Sequence, residues 1–551
     1  MKKSVLFLFA LGFLAISCEA PKEEVAEKET PFVWENANLY FLLTDRFNNG
    51  DTSNDVNFDR TKEPGTLRGF EGGDIKGITQ KINEGYFTDL GINAIWMTPI
   101  VENIHDGTDE GTGYSYGFHG YWAKDWTVID PNFGTKEDLQ EMVSAAHAKG
   151  IRVLLDAVIN HIGPATEKDP AWPSEWVRTE PPCGFDSYKN TIECTLVKNL
   201  PDIRTDSNEA VELPPQLVAK WKAEGRYDQE VKELDAFFER TGYPRAPRFY
   251  IMKWLTDYIT EFGIDGYRVD TVKHTEEYVW QEFKKECDYA FAEFKKNNPD
   301  KVMDDNPFYL VGEVYNYGIS TGQYYDFGDK NVNYFDKAFT SLINFELKWN
   351  SAQMDTDAVF VKYDSILNNQ LKGYSTLNYL SSHDDGNPFD ATRTKTMKAG
   401  TMLLLTPGAS QTYYGDESAR QLVVEGAKGD ANLRSFMNWE AMNTDENAKN
   451  TLAHYQKLGK FRANHPSVGA GRHNKIGDAP YTFSREYSKG AYSDKVVISL
   501  DAPQGEKSIP VAGIFEDGSV LTDAYSGQEV TVKDGKVSVT SDFNIVLLEN
   551  K

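Results

Sequence analysis

At 551 residues the chain exceeds what one hydrophobic core supports, so two or three domains are expected. Hydrophobic residues make up 40% and charged residues 26%, a globular rather than a disordered composition. The formal net charge of −26 argues against nucleic acid or an anionic membrane surface as partner, since both favour a basic face; a neutral ligand or a hard cation suits it better.

Taken in chain order, Lys2 and Lys3 precede an apolar run over residues 5–16. That run is too short to span a bilayer and reads as an export signal over 1–17. Ser17, Cys18 and Glu19, followed by a polar linker over 18–35, resemble a bacterial lipoprotein signal, with Cys18 carrying a lipid that anchors the chain at the outer membrane. The alternative is an ordinary cleaved signal with an incidental cysteine. That N-terminal anchor is the one membrane association expected.

From Asn38 onward short apolar runs alternate with amphipathic stretches, the rhythm of βα units. Strands are expected over 39–43, 94–97 and 152–157, and helices over 75–90 and 136–149. The 152–157 strand is nearly all apolar, as suits a strand covered on both faces. Residues 162–248 are too long for an ordinary connection and read as an inserted subdomain. This segment holds Cys183 and Cys194, close enough for a disulfide in an exported chain. The alternation resumes with a helix over 249–262, a strand over 266–269 and a helix over 276–296 that holds Cys287 as a buried thiol. Further strands are expected over 308–311 and near 332–335, 376–380 and 410–413. Eight strands with helices between them favour an α/β fold, a (β/α)8 barrel built from 36–161 and 249–475. Beyond residue 476 the period changes to alternation. There 530–532 and 537–539 flank the turn Asp534-Gly535, so 476–551 reads as an all-β sandwich domain.

Polar clusters close several of these strands, where barrel enzymes keep their active sites. They are Asp156-Ala-Val-Ile-Asn160-His161, Gly266-Tyr-Arg268-Val-Asp270, Gly312-Glu313-Val314 and Ser382-His383-Asp384-Asp385. Four such clusters in this order resemble the α-amylase superfamily, glycoside hydrolase family 13. The resemblance implies retaining cleavage of α-1,4-glucosidic bonds in starch-type glucans, with Asp270 as nucleophile, Glu313 as general acid/base and Asp384 as the third acid. Retention requires one ionised and one protonated carboxyl about 5–5.5 Å apart. Arg268, two residues before Asp270 on one strand face, would hold that carboxylate ionised, and partial burial would keep Glu313 protonated.

The resemblance extends to the sugar-binding residues. His161 and His383 match the histidines that hydrogen-bond the sugar, and Tyr121 and Trp122, within Phe118-His119-Gly-Tyr-Trp, match its aromatic platform. Lys273 and His274 match residues on the leaving-group side. Calcium is implied twice: at Asn160, Asp202 and the His274 carbonyl, and in a loop of Asn49, Asp51, Asn54 and Asp55 with Gly72 and Asp74. Both sets are rich in oxygen donors, as calcium requires. Maltogenic amylases, neopullulanases, α-glucosidases and glucanotransferases share these residues. A non-catalytic glucan-binding lipoprotein is the reading from another class, and loss of one of the three carboxylates would be its mark.

Overall fold

Eight short buried strands close into a parallel barrel. In chain order they are β1 (Asn38–Leu42), β2 (Ala94–Met97), β3 (Arg152–Ala157), β4 (Gly266–Val269), β5 (Tyr309–Gly312), β6 (Ser341–Asn344), β7 (Ser375–Asn378) and β8 (Ala409–Tyr413). Strand β1 pairs with both β2 and β8, which seals the cylinder. The computed structural model describes residues 30–550, so the expected export signal and Cys18 lie outside the described residues. Among the described residues, no helix is long and apolar enough to cross a membrane.

Strands β2, β3 and β4 run over the residues expected of them, because their apolar runs are bounded by turn signals. Two elements differ. The expected helix over 75–90 breaks at Gly85, whose φ of +86° ends Ile75–Glu84 and starts a separate turn, Tyr86–Asp89; glycine takes that conformation without a Cβ penalty. The sixth strand is Ser341–Asn344, whereas the 332–335 region forms the end of a two-residue ladder and the helix Tyr334–Lys337. Only Leu342 and Ile343 in β6 are apolar, so no hydrophobic run announces it. Its Asn344 instead donates to Asn378 Oδ1 (2.8 Å) and Tyr363 Oη (3.0 Å).

The end of the expected linker also differs. Val33 and Trp34 are buried, and the Trp34 ring stacks on Tyr309 at 3.9 Å. Apolar side chains there close the underside of the barrel rather than extend into solvent.

Between β3 and β4 the inserted segment carries a two-stranded ladder of Val177–Arg178 with Asp202–Ile203, then the helices Pro215–Ala223 and Tyr227–Thr241. Cys183 and Cys194 form a disulfide, and Cys287 is a buried free thiol.

The C-terminal strands begin at Arg472, four residues before the expected boundary. Six of them form one antiparallel sheet, and Gly505–Pro510 pairs with Lys536–Ser541 as a second. Val497, Ile509, Val511, Leu521, Val537, Val539 and Leu548 form the core of this domain. The Asp534-Gly535 turn forms with φ of +51° and +70°. Its arms diverge, however: Gln528–Thr531 joins the larger sheet and Lys536–Ser541 the smaller, with only Lys533 and Lys536 bridged across the turn.

Candidate active site

The register of three neighbouring strands builds the floor of the site. Arg268 on β4 pairs with Asp156 on β3 and Val311 on β5. Its guanidinium is 1% exposed and lies against three carboxylates. Nη1 is 3.0 Å from Asp156 Oδ1 and 2.6 Å from Asp270 Oδ1, and Nη2 is 3.1 Å from Glu313 Oε2. Three residues beyond Arg268, past the end of the strand, Thr271 has φ +48°, a left-handed turn that β-branched residues rarely adopt. That turn aims the Thr271 N–H at Glu313 Oε2, 2.9 Å away.

Burial pushes the Glu313 carboxyl up to about 8, against the pull of Arg268 and with the help of Asp270 and Asp384. Asp156 is likewise raised to about 7 by burial. It is well held, since Tyr121 Oη (2.8 Å) and Trp96 Nε1 (3.1 Å) donate to its Oδ2. Asp384 behaves oppositely. Burial would raise it, but His383 and Arg434 outweigh burial and hold it far below the usual carboxylate range. His383 Nε2 stands 2.9 Å from Asp384 Oδ2, and Arg434 Nη2 2.6 Å from Oδ1. The result is a rim where one acid favours its protonated form and another its ionised form, the division of labour acid–base chemistry needs.

A cleft of about 670 Å³ opens over this floor, and His119, Tyr121, Trp122, His161, Asp270, Lys273, His274, Glu313 and Asp384 all line it. Arg268 and His383 are buried and are not among the residues lining the cleft. Arg268 is engaged by carboxylates, and the His383 ring stacks under Tyr121 at 5.4 Å. Lys273 donates to the Tyr315 carbonyl and Tyr325 hydroxyl, each at 3.1 Å, so its ammonium holds the wall of the cleft. Trp122 serves two purposes, lining the cleft and packing with Ile104 and Leu200.

Residues 41–471 match the family model for the α-amylase catalytic domain. The chain belongs to the α-amylase family. It is 35% identical over 537 residues to the periplasmic α-amylase of Escherichia coli (strain K12), across 86% of this chain and 74% of that protein. It is 27% identical to a cyclomaltodextrin glucanotransferase of Thermoanaerobacterium thermosulfurigenes, across 91% of this chain but only 65% of the transferase. Among solved structures, an Anoxybacillus α-amylase superposes with a TM-score of 0.64 at 25% identity, covering 95% of this chain and 99% of that one. The chain is therefore a glycoside hydrolase of this family.

Three residues of the cleft escaped the sequence reading. Arg434 and Asp430 line the cleft from a turn after β8 that carries no recognisable motif. Tyr315 also lines it, and its position two residues after Glu313 was the one available signal.

Calcium is common in this family, and the two expected sites differ in fit. Among the described residues, no group of three or more His, Cys, Asp or Glu side chains is placed to hold a metal. In the loop from Asn49 to Asp74, Asn49 Oδ1 and Asn54 Oδ1 are buried without hydrogen-bond partners. Gly72 approaches so closely that a Cβ there would lie 2.7 Å from Asp55 Oδ1. Orphaned amide oxygens close to a carboxylate fit a hard cation. Asp74 mainly caps its helix, accepting from the N–H groups of Gly77 (2.6 Å), Asp51 (2.8 Å) and Gly50 (3.1 Å), while Asp51 is bonded to Lys76 at 2.6 Å. At Asn160, Asp202 and His274 the fit fails. Arg178 Nε stands 3.2 Å from Asp202 Oδ2, a positive group where the metal would be.

Proposed function

We propose that this chain is an endo-acting α-amylase that hydrolyses α-1,4 bonds of starch-type glucans with retention. The supporting observation is the pairing of Asp270 and Glu313 on one guanidinium, with Glu313 protonated up to about pH 8. In this reading Glu313 protonates the leaving oxygen while Asp270 attacks the anomeric carbon. Glu313 then takes a proton from the water that releases the sugar. Asp384, held ionised by Arg434, binds sugar hydroxyls and favours the positively charged transition state. Tyr121 offers its ring face to the sugar, and His119 and His161, kept neutral by burial, offer hydrogen bonds.

Calcium in this reading is bound by Asn49, Asn54, Asp55 and the Gly72 carbonyl, where it ties the loop to the helix capped by Asp74. The basic-then-apolar start of the chain and its similarity to a periplasmic relative support export to the envelope.

Release of reducing sugar from soluble starch tests the proposal. Wild type should produce long oligosaccharides early, and Asp270→Asn should lose at least about 10³-fold in kcat while keeping its melting temperature. A wild type inactive on starch, pullulan and cyclodextrins would defeat the enzymatic reading. Glucose as the sole early product would defeat endo action, and cyclic products would favour transglycosylation.

A further inference from the structure

Three stretches of chain meet beside the cleft: the end of β3 at Asn160-His161, the inserted segment at 176–178 and 201–206, and the turn after β4 at Thr275-Glu276. Thr275 and Glu276 join through side chains, Thr275 Oγ1 donating to Asn160 Oδ1 (3.4 Å) and Thr205 Oγ1 to Glu276 Oε2 (2.7 Å), and backbone bonds join the first two stretches. Ile203 N donates to Asn160 O (2.8 Å), Ile162 N to Pro201 O (3.1 Å) and Arg204 N to Trp176 O (2.8 Å). Within the ladder Arg178 lies directly opposite Asp202.

The junction buries negative charge. Asp202 and Glu276 are both buried, and Asp202 Oδ2 and Glu276 Oε1 accept no hydrogen bond. Arg178 faces Asp202 across the ladder. Its Nε is 3.2 Å from Asp202 Oδ2, and its Nη2 is paired with Asp206. A buried carboxylate without a counter-charge is strongly destabilising.

Calcium would need six to eight oxygens at about 2.3–2.6 Å, Asp202 among them. A guanidinium already against the same carboxylate oxygen would repel a divalent ion at close range and low dielectric. We propose that Arg178 is the resident cation of this junction, holding the inserted segment to the barrel in place of a metal. Unlike a bound ion, an arginine cannot dissociate and is not deprotonated. The positions of His161 and His274 in the cleft wall therefore do not depend on calcium at this point.

The test uses the full chain with the Asn49–Asp74 loop disabled by Asn54→Ala and Asp55→Ala. After dialysis, calcium per chain is measured by elemental analysis, and melting temperature is measured with and without EDTA. The expected result is no stoichiometric calcium and a melting temperature that EDTA shifts by less than about 1 °C. Arg178→Gln in the same background should lower it by about 3–4 °C. One calcium per chain persisting in the loop-disabled protein, and lost on adding Asp202→Asn, would overturn the proposal. So would an Arg178→Gln protein as stable as its parent. If Arg178→Gln fails to fold, the calcium count of the other two proteins decides alone.

Discussion

The cleft floor and the loop from Asn49 to Asp74 both draw oxygen donors out of water, yet they balance those oxygens by different means. In the cleft every acid faces an arginine: Arg268 meets Asp156, Asp270 and Glu313, and Arg434 meets Asp384 and Asp430. In the loop, Asn49 and Asn54 present buried oxygens with no protein partner. The difference separates a region whose charges are balanced by its own chain from one whose buried oxygens find no protein partner. Guanidinium groups fix the geometry of the carboxylates proposed to react, and reaction geometry tolerates little slack. In the proposed reading the loop only ties a helix end to the barrel, a task for which an exchangeable ion suffices.

The largest expected effect comes from breaking the cleft side of this contrast. Arg268→Lys keeps the charge but cannot reach two carboxylates with a planar fork. It should lower kcat by about 10²–10³-fold, measured on starch, with little change in KM. Arg434→Met, which strips Asp384 of its cation, should cost about 10–100-fold in kcat/KM.

The pH dependence sharpens the same contrast. Glu313 must be protonated in the free enzyme, so kcat/KM should fall about tenfold per pH unit above pH 8. In Arg268→Lys the balance of burial and counter-charge changes, and that limb should move.

On the loop side the effects are smaller and lie in stability. EDTA should lower the melting temperature by a few degrees, and Asp55→Ala should abolish that response, because a ligand stabilises only the state that binds it.

The smallest effect concerns a third arrangement, a cation that titrates. His465 joins the last barrel helix to the β domain through Asp494 (2.8 Å) and Glu549 (2.6 Å). Burial would lower it, but the two carboxylates prevail and raise it to about 9. The folded-state value exceeds the unfolded value of about 6.5. This pair of contacts therefore contributes fully below about pH 6.5 and is lost as pH rises through 9. The gap in melting temperature between wild type and His465→Gln should close over that interval.

Much of the cleft was legible in the sequence, because barrel strands end in polar clusters and Asp270, Glu313 and Asp384 each sit at such an end. Strand β6 was not, since its Asn344 is satisfied by Asn378 and Tyr363 rather than by water, and polarity alone cannot reveal that. Arg434 was equally hidden, because it reaches the site through a turn whose path depends on the packing of β8. Arg178 lies 24 residues before Asp202 in sequence, and only the antiparallel ladder brings it opposite. The family resemblance suggested calcium at that junction; the ladder supplied a competing charge.

If Asp270 attacks the anomeric carbon directly, as proposed, the configuration of the cleaved bond is retained. Proton NMR of the first sugar released from a maltooligosaccharide, followed before mutarotation, reads the consequence directly. Retention predicts that the α-anomer appears first and decays to the equilibrium mixture. First appearance of the β-anomer would mean water attacks the bond itself, and would contradict Asp270 as nucleophile.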